Sequence, residues 1–172
     1  IGFHDHVMQP SKSRILAFLN ISYAGIFAFD IGIGECENMK LCDPETTLAR
    51  AQEYQDHIIG IKVRVGKFTS GGNNIAPLML AKEASGKLAK PLMSHIDKPP
   101  PSIEEVLGCL GSGDILTHCF RPFPNDPVDT SGGVKKEVSD ARERGVVFDT
   151  GHGRGAFGFE SATKMLEQGF EP

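Results

Sequence analysis

Short apolar runs alternate with amphipathic segments along most of the chain. Five runs have the apolar, β-branched composition of strands and are bounded by glycine, proline or polar residues. These predicted strands are residues 14–22, 58–66, 91–96, 114–120 and 146–153. A segment with helical signals follows each strand. These predicted helices are residues 44–57, 76–88, 103–110, 134–144 and 160–168.

This alternation predicts one α/β domain over residues 1–172, with a parallel sheet and right-handed crossovers. Asp43 before Pro44 and a capping box between Ser102 and Glu105 mark two helix starts. No G-x-G-x-x-G motif follows a strand. The pattern therefore leaves two architectures open, an open doubly wound sheet and part of a (β/α) barrel.

The first predicted strand is a continuous apolar run, which is typical of a strand buried on both faces. The stretches between the predicted elements are polar or rich in glycine and proline. They are residues 1–13, 23–42 and 121–133, and the first of them has room for a short helix. We expect these stretches to be irregular.

The second predicted strand carries a lysine within an apolar run. A period of two places Lys62 and Arg64 on one face. The opposite, apolar face comprises Ile59, Ile61, Val63 and Val65. If helices cover the apolar face, Lys62 points into the space that the sheet encloses, and its ammonium loses a proton more easily. The alternative is an edge strand with Lys62 in water.

The composition is that of an ordinary globular protein, with 40% hydrophobic and 23% charged residues. A formal net charge of −4 without a basic tract predicts no nucleic-acid partner. No apolar run is long enough to span a bilayer and no signal-peptide pattern occurs, which predicts a cytoplasmic protein without a membrane partner. The four cysteines form no C-x-x-C pair and are expected to be free thiols.

Polar side chains with chemical potential recur about one strand–helix unit apart. Lys62 lies in the second strand, His95 and His118 lie near the ends of the third and fourth, and His152 falls at the end of the fifth. Because the carboxyl ends of parallel strands meet at one edge, where α/β enzymes keep their sites, we expect these residues to face one pocket. Any one of these histidines could instead be a hydrogen-bonded core residue.

The mixture of imidazoles and an inward lysine suggests a metal centre of a particular kind. Imidazole suits Zn²⁺ and neighbouring transition metals. An ammonium repels cations, but a lysine carboxylated by CO₂ presents a carbamate whose two oxygens can bridge two metals. Two divalent ions, with zinc favoured, would then activate water for attack on a carbonyl.

At this point the chain resembles the amidohydrolase superfamily, in its deacetylase and dihydroorotase-like branch. The resemblance rests on the segments at residues 14–22, 60–64, 91–96, 113–120 and 148–153. It implies about five strands of a (β/α)₈ barrel truncated at both ends. It also implies that Lys62 is the carboxylated bridging ligand, that His95 and His118 bind one metal, and that His152 lies beside the substrate.

The family pattern also contains an H-x-H pair on its first strand and a catalytic aspartate on its last. His4 and His6 have the H-x-H spelling but lie too close to the strand at 14–22, because a parallel crossover needs about a dozen residues or more. They are expected to be surface or loop residues. The expected aspartate lies beyond Pro172.

Four further residues have competing interpretations. Arg64 could hold a substrate carboxylate or form a salt bridge. Asp149 is expected to face the helices and make a structural hydrogen bond, and Cys119 is expected to be a buried thiol. His57 is expected to end a helix, where a cation favours the dipole.

The resulting prediction is a metal-dependent hydrolase that cleaves an amide or ester bond of a small molecule, with acetyl as one candidate for the group removed. A homo-oligomer is possible. One alternative is a Schiff-base enzyme of the aldolase type that uses Lys62 as a neutral amine. The other alternative is a non-catalytic fragment.

Overall fold

The computed structural model describes residues 1–26, 32–153 and 155–172. Its strands are β1 (Ala17–Asn20), β2 (Ile58–Val65), β3 (Leu92–Ile96), β4 (Ile115–Thr117) and β5 (Val147–Asp149). Its helices are α1 (Pro44–Glu53), α2 (Ala76–Leu88), α3 (Ile103–Cys109), α4 (Lys136–Glu143) and α5 (Phe159–Glu167). A π-helical turn at His4–Met8 and 3₁₀ turns at Met39–Leu41 and Gly71–Asn73 complete the described elements.

The five strands are parallel and pair in the order in which they occur along the chain. A doubly wound sheet reverses its strand order at a switch point, whereas a (β/α) barrel adds each strand beside the previous one. The observed order is therefore that of barrel winding. The five predicted strand–helix units are confirmed, and this order resolves the choice of architecture that the sequence left open.

One face of the sheet packs against helices. The helices α1 and α2 pack together, as do α3 and α4, and α2 lies against β2 and β3. Most sheet residues on this face are fully buried; they include Ile61, Val63, Val65, Leu92, Ile96 and Leu116. The strand alternation therefore leaves Lys62, Arg64 and His95 on the other face, which we call the inner face.

Local signals set several element boundaries as the sequence predicts. The Asp43 side chain accepts hydrogen bonds from the first turn of α1, and Ser102 and Glu105 form the predicted capping box of α3. The bounds of α2 agree with the prediction. Propensity and capping thus account for these helices without tertiary information.

Other boundaries differ from the prediction. The first helix ends at Glu53 rather than near His57, because tight turns lead the chain into β2 and both His57 and Ile58 donate to the Tyr54 carbonyl. The first, fourth and fifth strands are shorter than predicted. Left-handed backbone at His118 ends the extended run after β4, and the same conformation at Gly151 does so after β5.

Two burial predictions for the strands are wrong in part. All four residues of β1 are half-buried rather than buried on both faces, because β1 is an edge strand of the described sheet. Ile59, at the amino end of β2, is 38% exposed. All four cysteines are free, as predicted, and Cys119 is buried. Over the described residues, no helix combines the length and apolarity that crossing a membrane requires.

Candidate functional site

Two of the predicted ligands meet at the carboxyl ends of their strands. The rings of His95 and His118 lie edge to face, with centroids 4.7 Å apart and an interplanar angle of 90°. His95 lies in β3, and His118 directly follows β4. The expectation that one-unit spacing brings these two side chains to a common edge agrees with their observed contact.

A backbone contact fixes the orientation of the His118 ring. Its Nδ1 lies 2.5 Å from the carbonyl oxygen of Gly151. Because a carbonyl can only accept, Nδ1 carries the proton and Nε2 keeps its lone pair. Histidine ligands of metals commonly have their second nitrogen held in this way. The φ of His118 is +69°, a conformation that is uncommon for residues with a side chain and is enriched at functional sites.

His95 is held as a neutral imidazole in a buried position. It is 8% exposed, and its Nε2 is buried without a hydrogen-bond partner in the described structure. Burial lowers the pKa of His95 well below its usual value, and the positive charges of Arg64 and Lys62 add to this effect. Burial also lowers the pKa of His118. Both rings therefore carry a nitrogen lone pair at neutral pH, the form that binds metal.

The strand-unit spacing suggests that Lys62 and His95 lie level with each other on the inner face. Lys62 instead lies two residues closer to the amino end of the sheet than His95 does. The β2–β3 register pairs Arg64 with His95 and Lys62 with Met93. Burial, with the neighbouring charge of Arg64, lowers the pKa of Lys62 to about 7, against the opposing charges of Asp149 and Glu35. The strand β2 pairs with β1 on one side and with β3 on the other, so Lys62 does not lie on an edge strand of the sheet.

Arg64 forms a buried ion pair. Its Nη1 lies 3.0 Å from Oε1 of Glu35, and the two side chains are 12% and 5% exposed. Burial raises the pKa of Glu35 although Arg64 acts against the shift. Of the two roles that the sequence left open for Arg64, the structure contains the salt bridge. A substrate contact by Arg64 stays a prediction.

The structure does not bring His152 to the histidine pair. Its side chain is exposed and its ring packs on Phe157, with centroids 4.5 Å apart. It still follows β5 at the same edge of the sheet. Its predicted place beside a substrate stays a prediction.

Asp149 occupies the inner face, so its predicted orientation toward the helices is wrong. It pairs in register with Thr117, whose hydroxyl donates to its Oδ2 at 2.5 Å. The predicted structural hydrogen bond is thus present. At the other end of the chain, His6 is exposed, but His4 is half-buried and its ring contacts Tyr54 and His57.

A cavity of about 340 Å³ lies beside His95, and its lining residues are at or after the carboxyl ends of strands. Arg64 and His95 line it, whereas Lys62, His118 and His152 are not among its described lining residues. Sequence reasoning missed three of its charged side chains. They are Glu35, Asp97 and Arg121. Asp97 and Arg121 could have been found from their places just after β3 and β4, but Glu35 lies in a loop with no local signal.

Curated proteins named deacetylases are similar in sequence to nearly the whole of this chain. A deacetylase from Brucella anthropi is 33% identical over 171 residues, which are 99% of this chain and 42% of that protein. A deacetylase from Enterococcus faecalis is 35% identical, over 98% of this chain and 45% of its own length. The chain thus spans less than half the length of these curated relatives. No protein-family model matches the chain.

Solved structures agree with the sequence relatives. A crystal structure of an adenine deaminase superposes with a TM-score of 0.90 at 33% identity, over 99% of this chain and 46% of that one. A crystal structure of a dihydroorotase gives 0.88 at 32% identity, over 99% and 45%. The chain belongs to the amidohydrolase superfamily. Its five parallel strands correspond to about half of these barrel proteins.

Amidohydrolases typically bind metal, and the residues of this chain fit a metal in part. Among residues 1–26, 32–153 and 155–172, no three His, Cys, Asp or Glu side chains are arranged to hold a metal ion. Two neutral imidazoles are in place, one with a buried Nε2 lacking a partner and one oriented through Nδ1. Lysine is not one of these four residue types, and Lys62 could act as a ligand only after carboxylation.

Proposed function

We propose that the protein is a metal-dependent hydrolase of the amidohydrolase type that removes an acyl group, in particular acetyl, from a small-molecule amide or ester. The observation that carries this proposal is the contact between His95 and His118, whose rings lie 4.7 Å apart at the carboxyl edge of the sheet. Two relatives named deacetylases support the choice of reaction. A paired, neutral and oriented set of imidazoles is difficult to explain as core packing alone.

In this proposal, His95 and His118 would hold one divalent ion through their Nε2 atoms. Lys62 contributes after its neutral amine attacks CO₂. The new bond joins Nζ to the carbon of CO₂, a proton leaves to solvent, and the product is a carbamate anion with two oxygen ligands. The lowered pKa of Lys62, about 7, supplies the neutral amine that this step needs.

When bound, the metals would lower the pKa of a water molecule and polarise the substrate carbonyl. The chain's own residues then hold this centre in place. Gly151 fixes the His118 ring through its carbonyl oxygen, and burial keeps His95 from protonating. The cavity beside His95 is of a size to take a small molecule.

Acetate release from a panel of N-acetylated amino acids and amines tests the proposal. We expect zinc- or cobalt-dependent release that a chelator abolishes and added metal restores. Replacing His95 or His118 by Asn should remove at least about 99% of the activity, because catalytic ligands contribute several kcal/mol to the transition state. His6→Asn is the matched control, since His6 is exposed. Full activity in a metal-free sample would contradict the proposal.

The lowered pKa of Lys62 also favours a second candidate, a Schiff-base enzyme of the aldolase type. Borohydride separates the two, because reduction traps a carbonyl substrate covalently on Lys62 in the second case. A ¹³C-bicarbonate label gives a carbamate signal that Lys62→Ala removes in the first case. A protein that shows neither signal and binds no metal is the non-catalytic alternative.

A further inference from the structure

Charged side chains around the cavity beside His95 balance one another. Glu35 and Asp97 contribute two carboxylates, and Arg64 and Arg121 contribute two guanidinium groups. Glu35 is already engaged with Arg64 in the buried ion pair. The apolar side chains that line the cavity are those of Ile26, Ile33, Phe68 and Ala156. The cavity is thus polar but close to neutral in charge.

Three buried polar atoms without a hydrogen-bond partner belong to residues that line this one cavity. They are His95 Nε2, Asp97 Oδ2 and Arg121 Nε. The residues are 8%, 6% and 9% exposed. Among the described residues, the other buried polar atoms of this kind, His57 Nδ1 and Asn74 Oδ1, lie elsewhere. A buried polar group without a partner is costly to the folded state, so the concentration of three such groups here indicates a ligand.

Hydrogen bonds with neighbouring backbone groups hold Asp97 in place. Its backbone N–H donates to the Val65 carbonyl, and its Oδ1 accepts from the Phe68 N–H at 3.5 Å. Gly66 has a φ of +137°, and a Cβ there would lie 2.2 Å from the Asp97 carboxyl carbon. The Asp97 carboxylate therefore has room only because residue 66 is glycine, and its Oδ2 is a buried acceptor without a partner.

The guanidinium of Arg121 is fixed in a similar way. Its Nη1 donates to the Ile96 carbonyl at 2.7 Å, at the end of the strand that carries His95. Nε–H is then a donor that the protein leaves unused. Arginine has no acceptor atom and stays charged, so its role cannot be exchanged with that of Asp97.

We propose that Asp97 and Arg121 form a recognition site for a neutral ligand group that carries both an N–H donor and a carbonyl acceptor. Asp97 Oδ2 accepts from the N–H, and Arg121 Nε–H donates to the carbonyl. A carboxylate is a poorer occupant, because it offers no donor and would face Asp97 and Glu35. The site rests on the proposed function only in lying beside His95, where the substrate would react.

Two isosteric probes test this site without turnover. 2-Pyrrolidinone has a cis amide with N–H and carbonyl on one edge, and γ-butyrolactone replaces the N–H by oxygen. The chemical shift of the Arg121 Nε–H resonance in ¹H,¹⁵N spectra reports binding of each probe. We expect the lactam to bind at least about tenfold more tightly than the lactone, since a lost buried hydrogen bond to a charged group costs about 1.5–3 kcal/mol.

Variants then assign the preference to Asp97. Asp97→Ala should reduce the ratio of lactam to lactone affinity to about one. Gly66→Ala should do the same by displacing the carboxylate without removing its charge. Asp56→Ala, at an exposed position, is the matched control and should leave the ratio unchanged.

Equal affinity of the unmodified protein for lactam and lactone overturns the site, as does tighter binding of cyclopentanecarboxylate than of the lactam. Neither result depends on the folding of a variant. The titration needs no metal and no hydrolysis. Failure of acetate release with a preserved lactam preference therefore overturns the proposed function and leaves this site standing. Acetate release without a lactam preference overturns this site and leaves the proposed function standing.

Discussion

His95 and His118 meet edge to face with ring centroids 4.7 Å apart, although they belong to different strand–helix units. Burial and neighbouring positive charge hold the pKa of both below the usual range for histidine. Two neutral imidazoles in contact at the carboxyl edge of a parallel sheet are the arrangement that the proposed metal ligation requires.

Replacing Gly151 by Ala should disturb the proposed metal site through His118. A Cβ at this position would lie 2.1 Å from Thr117 Oγ1 and 2.7 Å from His118 Nδ1. The ring must then move away from the carbonyl that orients it. We expect metal affinity to fall about 10- to 100-fold, the usual effect of losing a partner that orients a ligand.

Gly155→Ala is the matched control for that experiment. Gly155 also has positive φ, +71°, but a Cβ there meets nothing within 4 Å. Both substitutions place a side chain at a positive φ, so the difference between the variants reports mainly on the contact with His118. Equal metal affinity in the two variants, measured by competition with a chelating dye, contradicts the orienting role of Gly151.

Lys62 should make folding stability depend on pH in a defined window. Its pKa is about 7 in the folded protein and 10.5 in an ordinary environment. Between these values the unfolded chain binds one more proton than the folded chain, so stability rises with pH. Relative to Lys62→Met, the protein should gain up to about 1.4 kcal/mol of unfolding free energy per pH unit from pH 7 to 10.5.

Below about pH 7 the difference between the protein and Lys62→Met should stay constant, because Lys62 is then charged in both states. Urea unfolding in metal-free and CO₂-free buffer gives the comparison at each pH. Other titrating groups cancel in the difference. A flat difference up to pH 10 would mean that Lys62 is solvated in the folded protein.

The ion pair between Glu35 and Arg64 should show strong coupling. Both side chains are largely buried, so Glu35→Gln places the Arg64 charge beside a neutral group and should cost about 3 kcal/mol of stability. Arg64→Met should cost a similar amount. In the double variant we expect a coupling energy of about 1–3 kcal/mol, obtained from a double-mutant cycle in urea. Additive single effects contradict a buried pair.

Asn125 should matter for stability although the sequence gives no hint of it. Its Nδ2 donates to the carbonyls of Asp97 and Pro101, and its Oδ1 accepts from the Ile103 N–H. Asn125→Ala leaves these buried backbone groups unsatisfied and should lower the unfolding free energy by about 2–4 kcal/mol. Asn38→Ala, at an exposed position, should cost less than about 1 kcal/mol. Similar costs for both variants would remove the structural role of Asn125.

The strand–helix alternation was predictable from sequence because it depends on local signals. Hydrophobic periodicity and caps such as Asp43 and Ser102 are properties of short segments. The ends of β4 and β5 were not predictable, because left-handed backbone at His118 and Gly151 interrupts runs that still look extended. Barrel winding depends on strand order, which no local segment encodes.

The candidate site was predictable only where it follows strand spacing. His95 and His118 meet as their spacing indicates, whereas the register places Arg64 rather than Lys62 opposite His95. Glu35 was missed because it reaches the site from a loop. The pairing of Glu35 with Arg64 is a long-range contact whose partners share no sequence pattern.

The most direct test of the central claim is ¹⁵N NMR of the histidine side chains during zinc addition. We predict that the Nε2 resonances of His95 and His118 shift on binding, because these atoms become ligands. His6 and His152 are exposed and provide internal controls that should not shift. Shifts confined to His6 or His152, or zinc binding that leaves His95 and His118 unchanged, would contradict the account.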